Sequence, residues 1–99
     1  MFVGISRIEL HVSGARSLKD KRQVVKSLAH KIGHRFNVSV SEIDHHDLCQ
    51  RGTLAVAHVA NNQREVEKVL QKIAVYTEAN ADAEVVRITD TFFNPEKDF

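Results

Sequence analysis

The chain has 99 residues, of which 42% are apolar and 27% are charged, and its formal net charge is +1. These values are typical of one soluble globular domain. No run approaches the roughly 18–20 apolar residues of a membrane-spanning helix, and Arg7 and Glu9 interrupt the N-terminal apolar stretch before a signal peptide could form. The single cysteine excludes an internal disulfide and fits a reducing compartment, so we expect a cytoplasmic protein without a membrane segment.

The first part of the chain predicts a strand and a helix. Residues 2–12 alternate apolar and polar side chains, which is the pattern of a half-buried strand. Ser17 is a favourable helix N-cap, and Asp20 stands three residues later, where a capping box places its acidic partner. The apolar residues that follow cover one face of a helix, which we expect from Leu18 to about Arg35.

Two strands and a second helix follow. The alternation over residues 37–43 predicts a second strand, with a bulge near Glu42 and Ile43 where the pattern slips. Residues 53–60 predict a third strand, which a hairpin connection at 47–52 joins to the second. Asn62 and Glu65 then repeat the capping pattern and begin a helix that ends at residues 80–82.

The last strand is expected over residues 84–93, with Val86, Ile88 and Phe92 on one of its faces. Residues 1–94 then form a single domain, and residues 95–99 form a flexible tail. The order β-α-β-β-α-β predicts an α+β fold of the ferredoxin-like type. In that fold a four-stranded antiparallel sheet carries both helices on one face and leaves the other face open.

Positive charge is concentrated around the first helix. Seven of the fourteen Lys and Arg residues lie in this segment against one acid, Asp20, which gives the segment a charge of +6. The seven are Arg16, Lys19, Lys21, Arg22, Lys26, Lys31 and Arg35. The second helix mixes both signs, as ordinary solvated helices do. A field of one sign points to an anionic partner, for which phosphate is the obvious candidate.

These cations divide around the helix, because successive residues turn by about 100°. The stripe on one flank contains Lys19, Arg22, Lys26 and His30. Lys31 and Arg35 lie on the opposite flank, and Lys21 falls inside the apolar arc, where it must extend past the sheet or meet an acid. The stripe could follow a phosphate backbone. The alternative is a solvated helix surface, since Lys and Arg are good helix formers.

Histidines and acids gather near the end of the second strand, at Glu42, Asp44, His45, His46 and Asp47. In a parallel pairing of the two central strands, His11 and His58 would be neighbours. Imidazoles and carboxylates could hold a metal ion, but consecutive residues of a strand point to opposite faces. A polar strand end in which an acid neutralises a cation such as Arg51 is the favoured interpretation. We therefore assign no metal site and no cofactor.

The sequence carries no complete catalytic motif. Cys49 would need an activating base, for example His46, and nothing supplies a third member or an oxyanion hole. Acylphosphatase-like enzymes need a Gly-rich loop with an arginine after the first strand. Gly14-Ala15-Arg16 is only a faint counterpart of that loop. We therefore expect a protein that is not an enzyme.

Three segments closely resemble the YlxP-like family of small bacterial proteins. They are residues 10–22, which include Ser-Leu-Lys-Asp-Lys-Arg, residues 35–42 and residues 47–51. The resemblance extends to about residue 93 and implies a ferredoxin-like fold in a family of unknown function. In many bacteria the gene of this family lies beside genes for a transcription antitermination factor, translation initiation factor two and ribosome-binding factor A. The resemblance therefore implies work on RNA or the ribosome.

Two functions of different classes follow. The first is a non-catalytic accessory protein that binds structured RNA or a ribosomal particle, with Lys19, Arg22 and Lys26 on phosphates and with Arg16, Lys21, Lys31 and Arg35 in support. The second is a homodimeric interaction module that uses the open sheet face or the edge formed by the second strand. The candidate residues for this surface are Val3, Ile5, Val38, Val40 and Val85. A small anionic ligand at the start of the first helix, between Arg16 and Arg22, is a third alternative.

Overall fold

The computed structural model describes residues 1–44 and 48–98. These described residues form four strands and three helices: β1 (Phe2–His11), α1 (Leu18–Arg35), β2 (Ser39–Asp44), β3 (Arg51–Ala60), α2 (Gln63–Asn80), β4 (Glu84–Phe93) and α3 (Pro95–Asp98). The strands form one sheet in the order β2-β3-β1-β4, and every neighbouring pair is antiparallel. This arrangement is ferredoxin-like and confirms the predicted fold class.

Both long helices pack on the same face of the sheet. Gly52 in β3 lies beneath Val25 of α1, and Gly4 in β1 lies beneath Val66 and Leu70 of α2, so closely that a Cβ at either glycine would clash. The core between helices and sheet consists of Ile8, Leu10, Val25, Leu28, Ile32, Leu54, Val56, Leu70 and Ile73. Removing these side chains from water is the main favourable contribution to folding.

The two long helices begin at the predicted N-caps. Ser17 Oγ accepts a hydrogen bond from the backbone N–H of Asp20 at 3.1 Å, and Asn62 Oδ1 accepts one from Glu65 at 2.9 Å. These bonds satisfy amide donors that have no partner within the first helical turn. Within the described residues, no helix combines the length and the apolar character needed to cross a membrane.

A bulge decides which side chains of β4 face the helices. Leu10 pairs with Val85 whereas Glu9 pairs with Arg87, so Val86 has no register partner. Val85 packs against the core, and Val86 is 53% exposed. The prediction that Val86 shares a face with Ile88, which packs against the core, was wrong, and so was the assignment of Val85 to the open face, because one extra residue reverses the alternation of side chains.

The open face of the sheet differs from the prediction at β2. The predicted bulge is confirmed, since the register shifts between Glu42 and Asp44. Val38 and Val40 pack against the core on the helix side, so their assignment to the open face was wrong. Val3 and Ile5 alternate with the buried residues of β1 and therefore lie on the open face.

The segment expected as a flexible tail includes the one-turn helix α3. The backbone N–H of Asn94 donates to Asp98 Oδ2 at 2.6 Å, and the amino group of Met1 lies 3.0 Å from Glu96 Oε1. Both partners of this ion pair are largely exposed to solvent, so the pair contributes little to stability.

Candidate nucleic-acid interface

The cations of α1 are positioned by the residues that the helix buries. Lys21, Val25, Leu28 and Ile32 recur at intervals of three or four residues and form the inward face. Lys19, Arg22 and Lys26 are exposed and lie together on one side of this face. We call these three residues the α1 flank.

The α1 flank has no acidic partners in the described part of the chain. None of Lys19, Arg22 and Lys26 forms an ion pair there, and the exposed side chain of Arg16 forms none either. Charges that lack internal partners keep their field directed toward solvent. An anion that binds the flank therefore breaks no ion pair between these three cations and an acid of the described residues.

The N-terminus of α1 is different, because an acid already occupies it. Asp20 Oδ2 accepts a hydrogen bond from the backbone N–H of Arg16 at 3.0 Å. This carboxylate takes one backbone amide just before the helix and places a negative charge at the end of the helix dipole that a small anion would otherwise use. The alternative of a small anionic ligand at the helix start therefore has to compete with Asp20.

Lys21 does not belong to the exposed surface. Its side chain is fully buried, and its Nζ lies 3.3 Å from Glu42 Oε2. Gly52 lies against this pair, and a Cβ there would meet both side chains as well as Val25. A fully buried ammonium group cannot reach a phosphate outside the protein, so we remove Lys21 from the phosphate-binding set. Of the two options predicted for a lysine in the apolar arc, the structure shows the second, because Lys21 meets the acid Glu42.

Lys31 and Arg35 lie on the other side of α1, beside α2. The guanidinium carbon of Arg35 is 5.1 Å from the centroid of the Tyr76 ring, which is a cation–π contact. A groove of about 680 Å³, which we call the interhelical groove, is lined by Arg35, Phe36, Lys68, Gln71, Lys72, Val75, Tyr76 and Ala79. A smaller groove of about 340 Å³ shares Arg35 and Tyr76 and adds His30, Lys31 and His34. Positive charge is thus present on both sides of α1.

Two cations of the interhelical groove were not in the predicted set. Lys68 and Lys72 are four residues apart on α2 and therefore share one side of that helix. Glu67 and Glu78 lie about 100° away around the helix axis. Glu65, in the first turn, lies about 60° from Lys68 and about 20° from Lys72 around the same axis. A helical projection of the sequence therefore places the two lysines together but does not separate every acid of α2 from them.

The stacking of two histidines on α1 was not predicted, although His30 was placed in the cationic stripe. His30 and His34 have the His-x-x-x-His spacing, and their rings stack with centroids 5.3 Å apart. Two imidazoles alone do not complete a metal site, because structural and catalytic zinc sites use three or four protein ligands. In the described residues no group of three His, Cys, Asp or Glu side chains is arranged to hold a metal.

The other histidines do not come together as predicted. Because β1 and β3 are antiparallel, His11 lies opposite Arg51 and His58 lies opposite Gly4, seven residues apart along β1. The expectation that His11 and His58 are neighbours was wrong. The cluster of His45, His46 and Asp47 lies outside the described residues, and so does the base suggested for Cys49, which is a free, partly buried thiol.

Sequence comparison matches most of the chain. The model of a family described as "Protein of unknown function (DUF503)" matches residues 3–90. A curated relative, the uncharacterized protein YlxP of Bacillus subtilis, is 33% identical over 82 residues, which cover 83% of this chain and 89% of the relative. Both matches agree with the resemblance carried by residues 10–22, 35–42 and 47–51.

Comparison with solved structures identifies the same architecture. Acylphosphatase from Bacillus subtilis is similar with a TM-score of 0.51 at 15% identity, over 99% of this chain and 91% of that one. A de novo designed protein with a ferredoxin fold is similar with a TM-score of 0.50 at 12% identity, over 100% and 90% of the two chains. At such identities the likeness shows the fold alone, and no activity follows from it.

Proposed function

We propose, from the premise that the chain belongs to the DUF503 family of unknown function, that it is a non-catalytic protein that binds structured RNA, alone or within a ribosomal particle. The observation that carries the proposal is the α1 flank, whose three exposed cations have no ion-pair partner in the described part of the chain. The exposed Arg16 extends this charge toward the start of the helix. Such a protein would act in the cytoplasm, where ribosomal RNA is found.

The geometry of the α1 flank suits a phosphate backbone. Lys19 and Lys26 are seven residues apart, which corresponds to about 10 Å along the helix axis. A helix that is already folded holds the three cations without a further loss of backbone entropy on binding. Each phosphate that they neutralise releases condensed counterions, and this release supplies sequence-independent affinity.

The sheet supports recognition of RNA by shape and charge rather than by base. On the open face of β1 the residues are Val3, Ile5, Arg7, Glu9 and His11, and on that of β3 they are Arg51, Thr53, Ala55, Ala57 and Val59. Neither of these fully described strands offers a Phe, Tyr or Trp there, whereas an RNA-recognition motif stacks bases on aromatic rings of its central strands. We therefore propose contacts to phosphate with low sequence specificity.

A salt titration tests this function directly. Binding to ribosomal subunits and to a duplex RNA hairpin is measured by co-sedimentation and fluorescence anisotropy between 50 and 200 mM salt. Three phosphate contacts predict a slope of about −2.7 for log K against log [salt], which is about a fortyfold loss of affinity over this range. Affinity that does not respond to salt, or no binding at 50 mM, would contradict the proposal.

A second candidate function is self-association through the open sheet face. Val59 is 58% exposed and pairs in register with Val3, and Ile5 lies two residues further along the same face. These residues form an apolar end of the face, whereas Glu9 and Arg87 form an ion pair toward its other end. A second copy of the chain could cover the apolar end, and a dimer would double the basic surface and gain avidity.

Light scattering separates the two candidates. If the open face mediates a homodimer, the protein has twice the monomer mass of 11.2 kDa, and Val59→Lys returns it to a monomer because a buried charge lacks a partner. Val75→Lys, at a similarly exposed valine on α2, serves as the matched control and leaves the dimer intact. A monomer at 100 µM protein would contradict self-association while leaving the RNA-binding proposal untouched.

A further inference from the structure

The geometry of the interhelical groove points to a docking site for an acidic amphipathic segment of a partner protein, one that presents a row of apolar side chains flanked by carboxylates. The groove lies on the opposite side of α1 from the α1 flank, because Arg35 lies beside Tyr76 of α2. This interaction therefore goes beyond RNA binding and does not depend on it.

The groove offers a row of residues along α2. Lys68, Lys72, Val75 and Ala79 are separated by four, three and four residues, so they form one stripe on the helix. The stripe is about 16 Å long, which corresponds to about three turns of a docked helix. Helix-in-groove recognition uses partner side chains at the same spacing of three and four residues.

The chemistry of the groove selects the occupant. Val75 is 66% exposed, and with Ala79 and Tyr76 it provides an apolar surface. Arg35, Lys68 and Lys72 line the same groove, and no carboxylate is among its lining residues in the described part of the chain. A phosphate backbone would leave the apolar surface unused, and a purely apolar helix would desolvate the cations without pairing them. A segment with leucine-like side chains can cover the apolar surface of the groove, and its carboxylates can pair with the cations.

The first experiment uses a defined peptide probe. A fluorescein-labelled, helix-forming 15-residue peptide carries leucines at intervals of three and four residues and glutamates on both sides of them, and a control peptide has lysines in place of the glutamates. The acidic peptide should bind, and the lysine peptide should not. Amide resonances of residues 68–79 should shift on binding, while those of Lys19, Arg22 and Lys26 should not.

Matched variants separate this site from the RNA-binding surface. The double variant Lys68→Glu, Lys72→Glu should weaken peptide binding by about tenfold or more, because it removes the cations that pair with the carboxylates. Val75→Ser should have an effect of similar size, because it removes the apolar contact. Lys19→Glu with Arg22→Glu makes the same charge change on the α1 flank and should leave peptide binding within about twofold.

Three results of the peptide experiment would overturn the inference. They are no binding of the acidic peptide, equal binding of the lysine peptide, and resonance shifts confined to other surfaces. A loss of RNA binding in the Lys68→Glu, Lys72→Glu variant as large as that caused by the α1 flank would assign the groove to RNA instead, and so would overturn it too. Failure of the wild-type protein to bind RNA leaves every peptide result unchanged, so the two proposals fail separately.

Discussion

Replacing Lys19, Arg22 and Lys26 together by glutamate is expected to reduce the affinity for structured RNA by about a hundredfold or more at 50 mM salt. The variant would lose the three proposed phosphate contacts and place three like charges against the phosphates, so attraction would become repulsion. The measurement is fluorescence anisotropy with the same RNA hairpin, together with co-sedimentation with ribosomal subunits.

The fold should survive this change. All three residues are exposed, and Lys, Arg and Glu have similar helix propensities. A glutamate in the first turn of α1 also interacts favourably with the helix dipole. The far-UV circular dichroism spectrum and the melting temperature should therefore remain close to those of the wild-type protein.

A second triple variant controls for net charge. Arg64, Lys68 and Lys72 are exposed cations on α2, and their replacement by glutamate changes the net charge of the protein by the same amount. Because these residues lie away from the α1 flank, this variant should lose much less RNA affinity than the first. Equal losses would mean that only the total charge matters, and an unchanged affinity in the first variant would contradict the proposed interface outright.

Local signals in the sequence predicted α1 with its observed bounds. Ser17 and Asp20 determine where the helix begins through contacts within four residues, and both contacts are present in the structure. The helix ends at Arg35, before Phe36 turns to an extended backbone whose N–H still bonds to Ile32. Contacts of this range are encoded by neighbours in the chain, so they can be read without knowing the tertiary structure.

Long-range contacts account for what the sequence did not predict. The bulge that turns Val85 inward depends on its pairing with Leu10 of β1, which lies seventy-five positions earlier. The spacing of α1 showed that Lys21 must find an acid, but only the packing of β2 against α1 shows that the acid is Glu42. Similarly, the sequence places Lys68 and Lys72 on one side of α2, and only the assembled helix layer brings that side next to Arg35.

The division of charge around α1 would allow the two proposed partners to bind at once. The α1 flank faces away from α2, whereas Arg35 belongs to the groove between the helices. The buried face between them contacts the sheet and therefore holds the two surfaces at a constant angle. A protein that binds RNA on one side and an acidic segment on the other would act as an adaptor rather than as an enzyme.

Lys21→Met is expected to destabilise the protein by about 2–4 kcal/mol and to lower its melting temperature by about 10–20 °C. Methionine keeps most of the apolar volume of the buried lysine stem but removes the ammonium group 3.3 Å from Glu42 Oε2. The Glu42 side chain is only 23% exposed, so its carboxylate would be left largely desolvated without that cation. Urea denaturation followed by circular dichroism measures the free energy of unfolding.

Two further variants identify the cause of the stability loss in Lys21→Met. Adding Glu42→Gln to Lys21→Met should recover about half of the lost stability or more, because it also removes the carboxylate charge that faces Lys21 beside Gly52. Lys26→Met, at an exposed position on the same helix, should change the free energy of unfolding by less than about 0.5 kcal/mol. If Lys21→Met is as stable as the wild-type protein, the buried pair has no structural role. Below its melting temperature this variant should still bind RNA, because the side chain that it lacks never reaches the surface.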